Sequence, residues 1–183
     1  MRVVLNLVAF NLGWLASVLG GAAGVPWAGV MVVTGVVALH LFLARQPGEE
    51  IKIVGVALLL GVVWDSALVA AGWITYPSGM VVPGAAPFWI VAMWANFVTL
   101  LNVSLRWLRG RPALAALLGA AGGPLTYWGG AQLGGATLVA PAAVLGALAV
   151  GWAVFTPALV AFAQRHDGFT ATEGPDLALG ARS

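Results

Sequence analysis

Cysteine is absent from the 183 residues, and its absence excludes disulfides, thiolate nucleophiles and cysteine-ligated zinc. It also leaves the redox compartment unread. Charge is nearly as scarce. Asp, Glu, Lys and Arg make up 8% of the chain, against roughly a quarter in an ordinary soluble domain. A water-soluble fold with so little polar surface would expose large apolar patches and aggregate. The net charge is only +2, and no basic stripe with interleaved aromatics runs along the chain, so nucleic acid is excluded as a partner. The signatures G-x-x-x-x-G-K-[ST], H-E-x-x-H, G-x-S-x-G and the dinucleotide fingerprint are all missing. Nucleotide-driven coupling and zinc hydrolysis are therefore unsupported, and no cofactor is implied.

Apolar residues supply 61% of the chain. A spanning helix needs about 20 of them in succession, and the sequence offers runs near residues 3–22, 26–44, 52–73, 87–105, 112–131 and 137–163. The expected fold is all-α: a polytopic bundle of six transmembrane spans over residues 1–164. The connections "GGAAGVP", "RQPGEEIK", "ITYPSGMVVPGAA", "RWLRGRP" and "LGGA" are short and rich in helix-stopping residues. A polar tail, 165–183, is expected to be disordered.

The basic residues give the orientation. Arg2, Arg45, Lys52, Arg106, Arg109, Arg111, Arg165 and Arg182 all fall at the N-terminus, the second or fourth connection, or the tail. By the positive-inside rule both termini are cytoplasmic. Trp27, Trp73, Tyr76, Trp89 and Trp128 collect at the predicted outer boundary and Trp107 at the inner one, as interfacial aromatics do. The first run is too long for a signal-peptide core and carries only Arg2 before it.

Asp65 lies inside the third run, thirteen residues beyond Lys52, so it is expected roughly 20 Å from the inner boundary. A carboxyl at that depth turns toward the protein interior and takes a partner. No basic residue is within reach, so the protonated form is the one expected there, donating one hydrogen bond and accepting others. Thr126 and Tyr127 come out at similar depth, with Asn11, Thr34, Asn96 and Thr99 near the midplane. Asn6, His40 and Asn102 lie toward the cytoplasm. Asn96, Thr99 and Asn102 follow at i+3 along one face of the fourth helix, expected to point inward. Tyr127, Thr126 and Asn96 are the expected partners of Asp65. Asp65, Tyr127, Thr126, Asn96, Asn11, Thr99 and Asn102 together are the candidate ligand-binding set. The competing reading is that these groups are interhelical hydrogen bonds holding helices together. His40, five residues from Arg45, is expected to snorkel toward the interface in a structural role, and a lone histidine makes a poor metal site.

"GGAAG" at 20–24, "GAAGG" at 119–123 and "GAQLG" at 130–134 carry the G-x-x-x-G spacing that lets helix backbones approach. Gly61 and Gly72 share a face with Asp65 and are expected to leave room beside it. Pro124 is expected to kink the fifth span. The two halves of the chain show no convincing repeat, which weakens an inverted-repeat transporter.

The stretches "WANFVTLLNVSLRWLRGRP" at 94–112, "LLGAAGGPLTYWGGAQLGG" at 117–135, "WDS" at 64–66 and "FNLGWLASVLG" at 10–20 resemble a bacterial family of uncharacterised integral membrane proteins of about this length. The resemblance spans most of the chain except the tail. It implies recurring roles for the positions of Asp65, Asn102, Ser104, Trp107, Gly123, Pro124 and Tyr127. Val103 stands where that family often has a polar residue, which counts against catalysis at that spot. Genes of the family often neighbour those of cyclopropane-fatty-acid-synthase-like and flavin amine-oxidase-like proteins, implying a link to membrane lipids or oxidative stress and a place in the bacterial inner membrane.

Four functional classes stay open on these residues. The foremost is a cavity around Asp65 that binds or helps handle a lipid or other largely apolar molecule. The others are a proton-coupled transporter or substrate-capture subunit, a structural scaffold for membrane-protein partners, and a membrane-embedded lipid or isoprenoid enzyme. The last lacks a base near the acid.

Overall fold

Proline occupies the first helical position of four helices, where its fixed φ suits helix entry and its missing N–H would have had no partner. A computed structural model describes residues 1–170 and contains six α-helices: α1 (Arg2–Ala22), α2 (Pro26–Leu43), α3 (Pro47–Ala70), α4 (Phe88–Val98), α5 (Pro112–Gln132) and α6 (Pro141–Arg165). α1, α3 and α5 finish alike, on Gly24, Gly72 and Gly134 with φ of +74°, +71° and +83°. In each, the next residue's N–H reaches back five positions: Val25 to Gly20, Trp73 to Leu68, Gly135 to Gly130. This is the left-handed Schellman closure that glycine makes without strain.

α1, α2, α3 and α6 are each long and apolar enough to cross a membrane. α5 equals α1 in length, 21 residues, but five of its residues are glycine. The fourth run departs from expectation. Its α-helix has only 11 residues, about 16 Å of rise, and Thr99 to Leu105 continue as tight turns into a single 3-10 turn at Arg106–Leu108. The cause is local. Thr99 Oγ1 donates to the Asn96 carbonyl at 2.7 Å, a side-chain bond that competes with the helical ladder. Hydrogen bonds of i to i−3 type then carry Thr99, Leu100 and Leu101. Non-helical backbone at membrane depth is tolerated only inside protein, and here Val98 to Asn102 are all buried. Asn6 of α1 secures the segment, donating to the Thr99 carbonyl at 3.1 Å and accepting from Ser104 Oγ at 2.6 Å.

α4 is therefore the inner element, packed against α1, α2 and α3, with Trp89, Ile90 and Trp94 almost wholly buried. Around it, α1 pairs with α2 and α5 with α6. Glycine sets both pairings. A Cβ on Gly29 would fall 2.3 Å from Ser17 Cα, and one on Gly119 would fall 2.1 Å from the Trp152 carbonyl oxygen, so neither backbone approach survives a side chain there. α5 runs unbroken through Pro124. A two-residue antiparallel ladder, β1 (Ile74–Thr75) with β2 (Thr137–Leu138), ties the loop after α3 to the loop before α6. Ile74–Thr75 lies in an expected connection and Thr137–Leu138 at the start of the expected sixth span.

The loops at the end where α1, α3 and α5 finish carry no charged residue. Among the described residues every charge except Asp65 sits on or beside the opposite, charged end. There residues 166–170, the described start of the expected tail, follow α6 against this end. Gly168 accepts from the backbone N–H of Arg45 and Gln46 at 2.8 and 3.0 Å. The remainder of the expected tail, 171–183, lies outside the described residues.

Candidate functional site

Asp65 lies on the inward face of α3, fully buried. Its two oxygens are both engaged: Trp94 Nε1 donates to Oδ2 at 2.7 Å, and Tyr127 Oη donates to Oδ1 at 2.5 Å. The carboxyl thus joins α3 to α4 and α5. Trp94 fits because α3 carries Gly61 one turn before Asp65. A Cβ there would lie 2.5 Å from Trp94 Cδ1, so the room next to Asp65 that was expected to be open is filled by an indole. Gly72 sits instead in the turn after α3, with open space around it.

Beyond Trp94 and Tyr127, away from Asp65, lies a cavity of about 290 Å³. α4 contributes Trp94, Asn96 and Phe97 to its lining, α1 contributes Phe10 and Trp14, α5 contributes Gly119, Gly122, Gly123, Thr126 and Tyr127, and α6 contributes Trp152 and Thr156. On α5 the lining alternates glycine with larger side chains: Gly119, Gly122 and Gly123 beside Leu118, Thr126 and Tyr127. Leu118, Gly122 and Thr126, one turn apart on α5, line the cavity and are also exposed. The cavity therefore reaches the flank of the bundle. Trp94 stacks on Trp152 with centroids 4.7 Å apart and planes at 20°, and Phe97 meets Trp152 edge-on at 5.0 Å, so one wall is a continuous aromatic surface.

The seven candidate residues separate. Asp65 and Tyr127 are bonded to each other. Tyr127, Thr126 and Asn96 line the cavity, whereas Asp65 does not. Asn96 is not a partner of Asp65: its Nδ2 donates to the Phe10 carbonyl at 2.9 Å. Thr126 gives Asp65 no hydrogen bond; Trp94 takes that place. Asn11 is exposed and donates to its own helix at Leu7, 2.8 Å away. Thr99 is spent on the break in α4, and Asn102 belongs to a different cluster at the charged end.

That cluster centres on Glu50, only 1% exposed. Its Oε1 accepts from Asn102 Nδ2 at 2.7 Å and from the Gly168 backbone N–H at 2.8 Å, and its Oε2 lies 2.9 Å from His40 Nε2. Arg109 donates to Asn102 Oδ1 at 2.5 Å and to Asp167 Oδ2 at 2.8 Å, and Arg106 meets the same Asp167 oxygen at 2.9 Å. Burial pushes the Asp167 carboxyl up, but its hydrogen bonds from Arg109 and the Phe169 N–H and the charges of both arginines outweigh that and hold it below its ordinary 3.8. His166 Nδ1 lies 2.7 Å from Glu49 Oε2. His40 is thus buried against Glu50, with the Phe169 ring 5.0 Å away, rather than snorkelling outward. Among the described residues no group of three or more acidic or histidine side chains is arranged to hold a metal ion.

Trp94 and Glu50 escaped the sequence reading for identifiable reasons. Trp94 stands mid-run, outside the set of interfacial tryptophans, and carries no assigned role, although its indole N–H two residues before Asn96 is a donor at polar depth. Glu50 was read as part of a connection, although Pro47 starts the helix three residues earlier and turns Glu50 inward.

A family profile described as a protein of unknown function (DUF2878) matches residues 3–158. The chain belongs to this family. The matched span contains Asp65, Trp94, Tyr127 and every residue lining the cavity, and it ends before Asp167. No curated protein and no solved structure matches the chain.

Proposed function

We propose that this protein is a multi-pass inner-membrane protein, with both termini in the cytoplasm, whose cavity binds a lipid or other largely apolar molecule and presents or carries it within the bilayer. The observation that carries this reading is the cavity itself. It is about 290 Å³, walled by aromatic and aliphatic side chains, and open along Leu118, Gly122 and Thr126 on a flank with the composition of a lipid-facing surface. That volume lies near the lower bound of small-molecule sites, roughly 300 to 1,000 Å³, so a head or ring would sit inside while a longer chain continued into the membrane. Asp65 supports the site from behind. By holding Trp94 and Tyr127 it keeps the wall in place, which makes it a positioning residue. A second reading, capture for transport, draws support from the break in α4, since interrupted helices line substrate sites in transporters.

The test is extraction and mass spectrometry of molecules that stay with the full-length protein through purification in a mild detergent. Gly122→Phe is the companion variant, because a Cβ at 122 meets no atom within 4 Å and its ring can occupy the opening. A near-stoichiometric apolar molecule in the native protein, lost in Gly122→Phe at unchanged thermal stability, is the expected result. A native protein that retains no apolar molecule, and takes none up from added lipid, would remove the proposal.

A further inference from the structure

By volume the cavity admits a head, a ring or a length of chain; its lining and its opening decide among them. No Asp, Glu, Lys, Arg or His lines it, so a phosphate or ammonium brought in would lose its water and gain no counter-charge. The neutral polar side chains of the lining are committed elsewhere or shut away. Trp94 Nε1 and Tyr127 Oη donate to Asp65, and Asn96, 0% exposed, gives its Nδ2 to the Phe10 carbonyl. Trp14 Nε1, Trp152 Nε1 and Thr156 Oγ1 are closed over by protein. Thr126 remains, and it stands on the opening. The interior therefore presents carbon, and even an uncharged polar head would go unpaired there.

The opening is a slot. Leu118, Gly122 and Thr126 follow one another at i+4 along α5, which sets them in line over about 12 Å of helix rise. The lining of α5 is drawn out in the same direction, from Leu118 to Tyr127. An engineered cavity of roughly 150 Å³ takes up one benzene ring, so about 290 Å³ spread along a helix suits a run of methylenes better than one compact group. A spanning helix is tilted only modestly from the bilayer normal, so a neighbouring lipid chain can pass sideways through such a slot while its head stays at the membrane surface. Resting on the reading that the cavity binds an apolar molecule, we infer that what enters is the hydrocarbon chain of a membrane lipid, gripped irrespective of its head, which stays outside.

Photolabelling of the full chain in a mild detergent tests this. Two phosphatidylcholines carry a diazirine on one acyl chain, near its free end in one and beside the ester in the other, and the labelled peptides are mapped by mass spectrometry. The chain-end probe should label interior residues such as Phe97, Leu105 and Trp152, and the ester-side probe should not. Unlabelled lipids with the same chains and a phosphocholine, phosphoglycerol or plain hydroxyl head should compete within about threefold of one another, less than a factor of ten in affinity. Gly122→Phe should abolish the interior labelling, and Thr126→Phe closes the same slot should that variant fail to fold. Interior labelling by the ester-side probe, or a wider spread among the competitors, would overturn the chain-first assignment and leave the cavity reading standing. Labelling that persists in both slot variants would overturn it as well. No interior labelling by either probe would take away the cavity reading itself.

Discussion

Trp94 serves two surfaces at once: its Nε1 donates to Asp65 at 2.7 Å while its ring stacks at 4.7 Å on Trp152. The buried carboxyl of α3 and the aromatic wall of the cavity are therefore one mechanical unit, with Tyr127 as its second arm.

Removing the acid should loosen that unit. Asp65→Leu leaves the Trp94 N–H and the Tyr127 hydroxyl buried without an acceptor, at about 1–3 kcal/mol each. Asp65→Asn keeps an acceptor oxygen and should cost distinctly less. Thermal unfolding in detergent measures both, and equal losses would show that the hydrogen bonds do not hold the wall.

The seat of the indole can be disturbed from the other side. Gly61→Ala places a methyl 2.5 Å from Trp94 Cδ1, and overpacking of this kind costs about 1–3 kcal/mol. The near-ultraviolet circular dichroism of the tryptophans should change with it. An unaltered spectrum and stability would mean that Trp94 has freedom to yield.

Gly122→Ala makes the opposite case. It stands in a helix, with no atom within 4 Å of the added methyl, so helix propensity alone predicts a gain of about 0.8–1 kcal/mol. A lowered unfolding temperature would show that the backbone needs glycine at 122 for a reason beyond space.

At the charged end, Glu50→Ala strands His40, Asn102 and the Gly168 N–H together. Leaving a buried hydrogen-bonding group without its partner costs about 1–3 kcal/mol each. Amide exchange at Gly168 and Phe169 should quicken by orders of magnitude. Glu50→Gln, which keeps an acceptor oxygen, should protect part of it.

The same strap should respond to acid. Asp167 in the folded protein is held below its ordinary 3.8 by Arg109, the Phe169 N–H and Arg106, in spite of its burial. Its contribution is thus fully present above about pH 4 and is lost as pH falls through the lower folded value. Exchange at the Phe169 amide, which bonds Asp167 Oδ1 at 2.9 Å, should rise over that acidic range. Asp167→Asn should abolish the pH step.

Much of this was legible in the order of residues. Apolar runs separated by Pro and Gly mark all six helices because a helix satisfies its own backbone and needs no distant partner to be foreseen. Asp65 announced an interior contact by its cost, and Tyr127 could be placed opposite it by counting rise along two helices. The break after Val98 was hidden because Asn96, Thr99 and Asn102 keep helical spacing in sequence. Whether Thr99 bonds its own backbone or another helix is settled only when Asn6 arrives from α1. Glu50 was hidden because helix rotation, not sequence position, decides whether a carboxylate in the first turn faces water or His40.

Composition pointed to a medium other than water, and the order of residues to an interior destination for the lone mid-run acid and to charge gathered at one end, since each follows from transfer cost residue by residue. Tertiary structure alone decided that Trp94 would fill the space at Gly61 and that Asp65 would stand behind the cavity and not in it. These depend on how helices rotate and splay against each other. That arrangement is chosen by packing many weak contacts at once, and no single stretch of chain encodes it.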